Sequence, residues 1–176
     1  HTRLRTVTGV QTCALPICNV TLSGLTIRDG KSTGIDGGGG GILNSGTLTV
    51  LQCRFFNNYV VNNGPLGGGG AICNSGGSLV VSNSTFDANF VRLGSARGGA
   101  ILIDGGVAAI VGSTFAGNVV ASGSTNSGGA IYNNGGSVSL VNSTFASNSL
   151  SSTFGFGAGG AIYNASGALT VKSCTI

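Results

Sequence analysis

One unit of about thirty residues recurs along most of this chain, and that period limits the fold more than any other feature. Gly-Gly-Ala-Ile occurs at Gly69–Ile72, Gly98–Ile101, Gly128–Ile131 and Gly159–Ile162, with a Gly-Gly-Gly-Ile variant ending at Ile42. The isoleucines Ile42, Ile72, Ile101, Ile131 and Ile162 are 30, 29, 30 and 31 positions apart. A second motif, Phe-x-x-Asn, follows each time: Phe55/Asn58, Phe86/Asn89, Phe115/Asn118 and Phe145/Asn148. Its first copy is degenerate, Ile27/Gly30, and its last stops at Ile176. A fixed period of this size means a solenoid, a propeller or an array, and it outranks local propensity.

Inside each unit the pattern has period two. Seven residues before the Phe stand Val20, Leu48, Leu79, Ala108, Val138 and Leu169. Five before it stand Leu22, Val50, Val81, Ile110, Leu140 and Val171, and two before it Leu25, Cys53, Ser84, Ser113, Ser143 and Cys174. The position directly before holds Thr26, Arg54, Thr85, Thr114, Thr144 and Thr175. Apolar residues alternating with Ser, Thr and Asn read as strands. Glycine pairs such as Gly76-Gly77 and Gly105-Gly106 read as turns between them. The expectation is three short strands per unit, around GGAI, around L-x-V and around S-T-F. A single unit leaves its Ile, Leu, Val and Phe half exposed and its strand edges unpaired, so like units must stack. This predicts an all-β, right-handed parallel β-helix of about five coils over residues 19–176. Ile42, Ile72, Ile101, Ile131 and Ile162 form one inward column and Phe55, Phe86, Phe115 and Phe145 another. Asn58, Asn89, Asn118 and Asn148 form a ladder of stacked amides, and Asn44, Asn74, Asn133 and Asn164 a second ladder broken by Ile103.

Residues 1–18, HTRLRTVTGVQTCALPIC, carry none of this pattern and are set aside as a non-native leader. Their TVTGVQTCALPI core resembles a peptide that arises where sequencing-adapter DNA is translated. The apolar run is broken by Thr12, Cys13 and Pro16, which argues against a signal peptide. With no starting Met and a stop mid-pattern, the chain is expected to be an internal piece of a longer protein.

Composition removes most chemistry. Charged residues make up 7% of the 176, no Glu occurs, the acids are Asp29, Asp36, Asp87 and Asp104, and the one histidine is His1. A Ser-His-Asp triad, a histidine zinc site and a histidine general base therefore lack their central residue. Paired carboxylates for glycoside cleavage are not evident. Asp29-Gly30-Lys31-Ser32 imitates the end of a phosphate loop, but Leu25 stands where that motif needs its first glycine. Gly155-Phe156-Gly157-Ala158-Gly159-Gly160 lacks the helix of a dinucleotide turn, and Ile35-Asp36-Gly37 hints at a calcium roll only once. No catalytic residue, cofactor or metal is assigned. A net charge of +4 is too weak to argue for nucleic acid, and the longest nearly apolar stretch, Ala100 to Val111, is too short for a membrane span. Cys53 and Cys174 share a column four coils apart, ~19 Å at the strand spacing, beyond the ~7 Å reach of a disulfide. With Cys73 they read as apolar fillers. The outward Thr column reads as a β-propensity choice on a solvated face.

The paired GGAI and FxxN motifs resemble the repeats of polymorphic outer-membrane proteins and related bacterial surface β-helix proteins, over Asn19 to Ile176. The resemblance implies a secreted or cell-surface location. It also implies adhesion or display as the role, with a protein or glycan of a host or neighbouring cell as partner and neighbouring coils on either side. Two other readings stay open: part of a polysaccharide lyase or hydrolase whose active site lies outside this segment, and a structural spacer. The spacing from each Ile to the next Phe is 13 once and 14 thereafter. The connectors from each Asn to the next Gly-Gly hold ten, eight, nine and ten residues. Unequal inserts in a solenoid project on one face, often the binding face. Tyr59, Arg92, Arg97, Phe154 and Phe156 lie in them and are the partner-binding candidates.

Overall fold

The structure is a computed structural model. It describes residues 6–7, 10–11, 19–33, 38–61, 67–92, 94–123, 126–152 and 157–176. Most of the leader therefore lies outside the described residues, as do Asp36, Phe154 and Phe156. Within the leader, Thr6–Val7 pairs in parallel with Thr26–Arg28, and Val10–Gln11 with Ile42–Asn44.

Every strand-to-strand ladder is parallel and joins one repeat to the next, so the chain winds as a β-solenoid of about four turns, without a helix among the described residues. The count falls short of the expected five because the end coils are incomplete. Before Ile42–Asn44 the GGAI position is filled only by the two-residue strand Val10–Gln11 of the leader, and the last repeat reaches the Phe sheet through a single bridge, Thr144 to Thr175.

Three sheets enclose the core. One contains the Phe strands Thr26–Arg28, Arg54–Phe56, Thr85–Asp87, Thr114–Ala116 and Thr144–Ala146, with Thr6–Val7 at its end. The GGAI strands (Ile42–Asn44, Ile72–Ser75, Ile101–Asp104) and the L-x-V strands (Asn19–Ser23, Thr47–Leu51, Ser78–Ser82, Val107–Val111) belong to one ten-stranded sheet. They are separate in the early coils and fuse into single eleven-residue strands in Ile131–Val141 and Ile162–Lys172. The ladder between those two strands shifts register by one residue at Asn134, which pairs with Ser166, and returns to its original offset at Ser137, which pairs with Ala168. The third sheet corrects the expectation of three strands per repeat. Lys31–Ser32, Tyr59–Val61, Phe90–Arg92, Val119–Gly123 and Ser149–Ser152 form five parallel strands from what the sequence presents as connector. The last four each turn one apolar side chain inward (Val60, Val91, Val120, Leu150), and with Ala96 these form a small apolar cluster of their own. A three-residue strand with one buried residue leaves no alternation to detect.

The inward columns run in register. Ile42, Ile72, Ile101, Ile131 and Ile162 are direct partners down the stack, and the first four are fully buried. Phe55, Phe86, Phe115 and Phe145 stack with ring centroids 4.7 Å apart and planes within 5° of parallel. The separation of neighbouring strands, ~4.7–4.9 Å, falls inside the range that suits offset aromatic rings. One Phe per coil therefore builds a continuous stack without backbone adjustment.

The Asn ladder closes the corner after each Phe strand. Asn58 Nδ2 and its backbone N–H both donate to Asn89 Oδ1 at 3.0 Å, and Asn89 repeats this toward Asn118 Oδ1 at 3.0 Å. Asn118 donates to Asn148 Oδ1 in the same way, at 3.1 and 2.9 Å. Each Nδ2 also donates backwards, to the carbonyls of Ile27, Phe55, Phe86 and Phe115 in turn. Where the first repeat has Gly30 instead of Asn, its backbone N–H donates to Asn58 Oδ1 at 3.0 Å. The amides of this ladder are thereby satisfied one coil at a time, as burial requires. The Ser column works similarly: the N–H groups of Cys53, Ser84 and Ser113 donate to the hydroxyls of Ser84, Ser113 and Ser143 at 3.1, 3.2 and 3.2 Å. In the second ladder Asn44 and Asn133 donate to Asn74 and Asn164 at 2.6 Å, and Ile103 interrupts it.

The glycines of GGAI are required by proximity between coils. A Cβ on Gly99 would lie 2.1 Å from the Gly129 carbonyl oxygen, and one on Gly129 would lie 1.9 Å from that of Gly160. The preceding Gly98 has φ +61 and would place a Cβ 2.3 Å from the Ile101 oxygen. The following Ala100 and Ala130 are fully buried.

Candidate binding face

The third sheet carries two outward columns. Register aligns Lys31, Tyr59, Phe90, Val119 and Ser149 in one, and Val61, Arg92, Ala121 and Ser151 in the other. The first column follows directly from the Asn ladder, since each member is the residue after the Asn position. The ladder fixes the corner, and the next side chain must point out.

Tyr59 and Phe90 stack face to face, centroids 4.8 Å apart and planes 6° from parallel. Cations flank the pair: Lys31 Nζ lies 5.7 Å from the Tyr59 centroid, and the Arg92 guanidinium carbon lies 5.3 Å from the Phe90 centroid. Such contacts contribute ~0.5–1 kcal/mol each at exposed sites. On the far side of Phe90 the column drops to Val119. Beside it lies a groove of about 370 Å³ lined by Ala88, Phe90, Arg92, Gly117, Val119 and Ala121.

The acids near this face are already paired. Arg28 meets Asp29 at 2.6 Å, and Arg54 meets Asp87 at 2.6 Å. Both pairs are exposed and so contribute at most ~1 kcal/mol. A hydrogen bond from Asn57 and the Arg28 guanidinium hold the Asp29 carboxyl below its ordinary range. Among the described residues, Lys31 and Arg92 form no ion pair.

The candidates from sequence divide accordingly. Tyr59 and Arg92 lie on this face. Arg97 is elsewhere: its guanidinium stands 5.2 Å from the Tyr132 centroid, over the outer side of the GGAI strands, where Cys73, Leu102 and Tyr132 form a separate buried cluster. Phe154 and Phe156 are not among the described residues. Phe90 and Lys31 join Tyr59 here, and their position directly after Asn89 and Gly30 matches that of Tyr59 after Asn58. Aligning the residue that follows each Phe-x-x-Asn would have found them.

Cys53, Cys73 and Cys174 are free thiols, and burial pushes that of Cys73 up to about 12. Among the described residues no three His, Cys, Asp or Glu side chains gather where they could hold a metal ion, and no helix is long and apolar enough to cross a membrane. The fold and this face define a parallel β-solenoid repeat protein with an aromatic and cationic outer stripe. Comparison of the chain with protein-family models, with curated proteins and with solved structures finds no match.

Proposed function

We propose that this chain is a repeat segment of an extracellular or cell-surface β-helix protein of the polymorphic outer-membrane type, and that it serves adhesion or display. The observation that carries the reading is the third sheet's outer face. Tyr59, Phe90, Lys31 and Arg92 stand exposed or half-exposed on a stack whose interior amides and hydroxyls are bonded from coil to coil. A scaffold with exposed cations and aromatic rings on one side suits recognition of an external partner.

The test is binding of the purified full chain to bacterial and epithelial cell surfaces and to immobilised mucin, alongside turnover assays on acidic and neutral polysaccharides. Saturable binding to a cell surface or mucin, without cleavage, is the expected result. Polysaccharide cleavage with no surface binding overturns the reading.

A further inference from the structure

We propose that the groove beside Phe90 seats one sugar unit of an acidic glycan, with its ring against the Phe90 face and its carboxylate on Arg92. The inference rests on the reading of the chain as a binding scaffold and names the chemistry its outer stripe would take.

The groove is an unfilled place in an aromatic stack. Tyr59 and Phe90 occupy successive coils with their rings 4.8 Å apart, and the next coil's residue in that column is Val119, in register with Phe90. Val119, Ala121 and Gly117 are too short to continue the stack, so the side of Phe90 away from Tyr59 borders the groove of about 370 Å³, with the Arg92 guanidinium over the same ring. That volume lies near the lower end of ligand-site sizes, ~300–1,000 Å³, and suits one ring rather than several. A pyranose lays its flat C–H face on an aromatic ring and carries a uronate carboxylate at the ring's edge. The Arg92 guanidinium borders the same groove, 5.3 Å from the Phe90 centroid, and a guanidinium binds a carboxylate through two parallel N–H donors.

Charge supports an anion. Among the described residues, the nearby acids Asp29 and Asp87 are neutralised by Arg28 and Arg54, which leaves Arg92 and Lys31 as positive charge on this face. A nucleic acid fits less well, because Arg92 and Lys31 together neutralise too few phosphates to bind a strand firmly. A protein fits less well too. Protein anchors sit amid further apolar surface, whereas Val80, Val107 and Val111, large exposed apolar side chains, belong to the L-x-V strands on another sheet. The groove's neighbours along the two columns are Ser149 and Ser151, hydroxyls suited to adjacent sugar units.

The experiment is calorimetric titration of the full chain with a hexamer of galacturonic acid, with its methyl-esterified form, and with a poly-glutamate peptide. Arg92→Gln and Val119→Phe are measured beside the wild type, each checked for an unchanged circular dichroism spectrum. Arg92→Gln removes the charge at an exposed position, and Val119→Phe places a third ring in the open berth. The expected result is binding of the hexamer, weakened at least tenfold by Arg92→Gln, abolished by Val119→Phe, and weakened at least tenfold by methyl esterification. Absence of hexamer binding, equal binding of the ester or of poly-glutamate, or indifference to both substitutions each overturns the proposal. The two readings fail separately. Surface binding that survives Val119→Phe removes the groove but not the adhesive role. Hexamer binding without any surface or mucin binding removes the adhesive role but not the groove.

Discussion

Replacing Asn89 by Ala should cost this protein much of its stability, and the size of the loss follows from the bonds one amide makes. Asn89 is fully buried in the middle of its ladder. Its Oδ1 accepts from the backbone N–H and the side-chain Nδ2 of Asn58, each at 3.0 Å. Its Nδ2 donates to the Phe55 carbonyl and to Asn118 Oδ1, each at 3.0 Å. Alanine removes all four bonds. Asn118 Oδ1 keeps the backbone N–H of residue 89, but two donors on Asn58 lose their acceptor where water does not reach. A buried group left unsatisfied costs ~1–3 kcal/mol, so the change should cost ~2–6 kcal/mol, before any term for the cavity. Whole-domain stabilities are ~5–15 kcal/mol, and the coils neighbouring residue 89 should lose cooperativity first.

The measurement is urea unfolding of the full chain at 25 °C followed by circular dichroism, with Thr144→Ser on the exposed face as control; that change should stay within ~0.5 kcal/mol. Asn89→Asp supplies an internal check. It keeps an oxygen for Asn58 but buries a carboxylate, so acid should restore part of its loss by returning a proton that can be donated. A loss for Asn89→Ala no larger than that of Thr144→Ser would refute the argument that the amide ladder holds the corners.

Three further outcomes test other parts of the stack. Gly99→Ala forces a Cβ to within 2.1 Å of a backbone oxygen in the next coil and should prevent stable folding. Gly76→Ala has nothing within 4 Å and bears only the strain of φ +73, so it should cost ~1–2 kcal/mol; equal losses for the two in thermal unfolding would contradict the close-approach explanation. Ser147→Gly relieves a positive φ of 54 in a non-glycine residue and should raise the melting temperature, by at most ~1 kcal/mol of stability after the extra chain entropy of glycine. The Cys73 thiol is pushed from its ordinary 9.0 up to about 12, so the unfolded chain ionises first. Stability from this group is complete below about pH 9 and falls as pH rises toward 12. Cys73→Leu, matching Leu43 and Leu102 in the same column, should flatten that alkaline decline in unfolding measured from pH 8 to 11.

The columns were readable because a solenoid maps sequence period onto spatial neighbours. Residues one repeat apart become direct partners, so aligning Ile72 with Ile101, or Asn58 with Asn89, already names a contact. Alternation within the L-x-V and S-T-F segments likewise gave the inward positions, since a strand turns every second side chain the same way. Tyr59 and Arg92 stood out for the same local reason: they are large groups in segments of unequal length.

What the linear order left open depends on which groups meet between coils at sub-ångström scale. The third sheet has strands as short as two or three residues, and their inward Val60, Val91 and Val120 gain meaning only when stacked against one another. The GGAI and L-x-V strands run on through Gly135 and Gly136 at Ile131–Val141, while the equivalent glycines Gly76-Gly77 and Gly105-Gly106 in earlier coils bend the chain between separate strands. Arg54 reaches Asp87 across 33 positions because residues 54 and 85 are register partners and Asp87 extends outward two residues beyond. The groove exists because Phe90 is followed, one coil on, by a valine instead of another ring. Composition and period dictate that such a chain stacks; the axial distance between coils decides which side chains touch, and therefore where an open place remains on its surface.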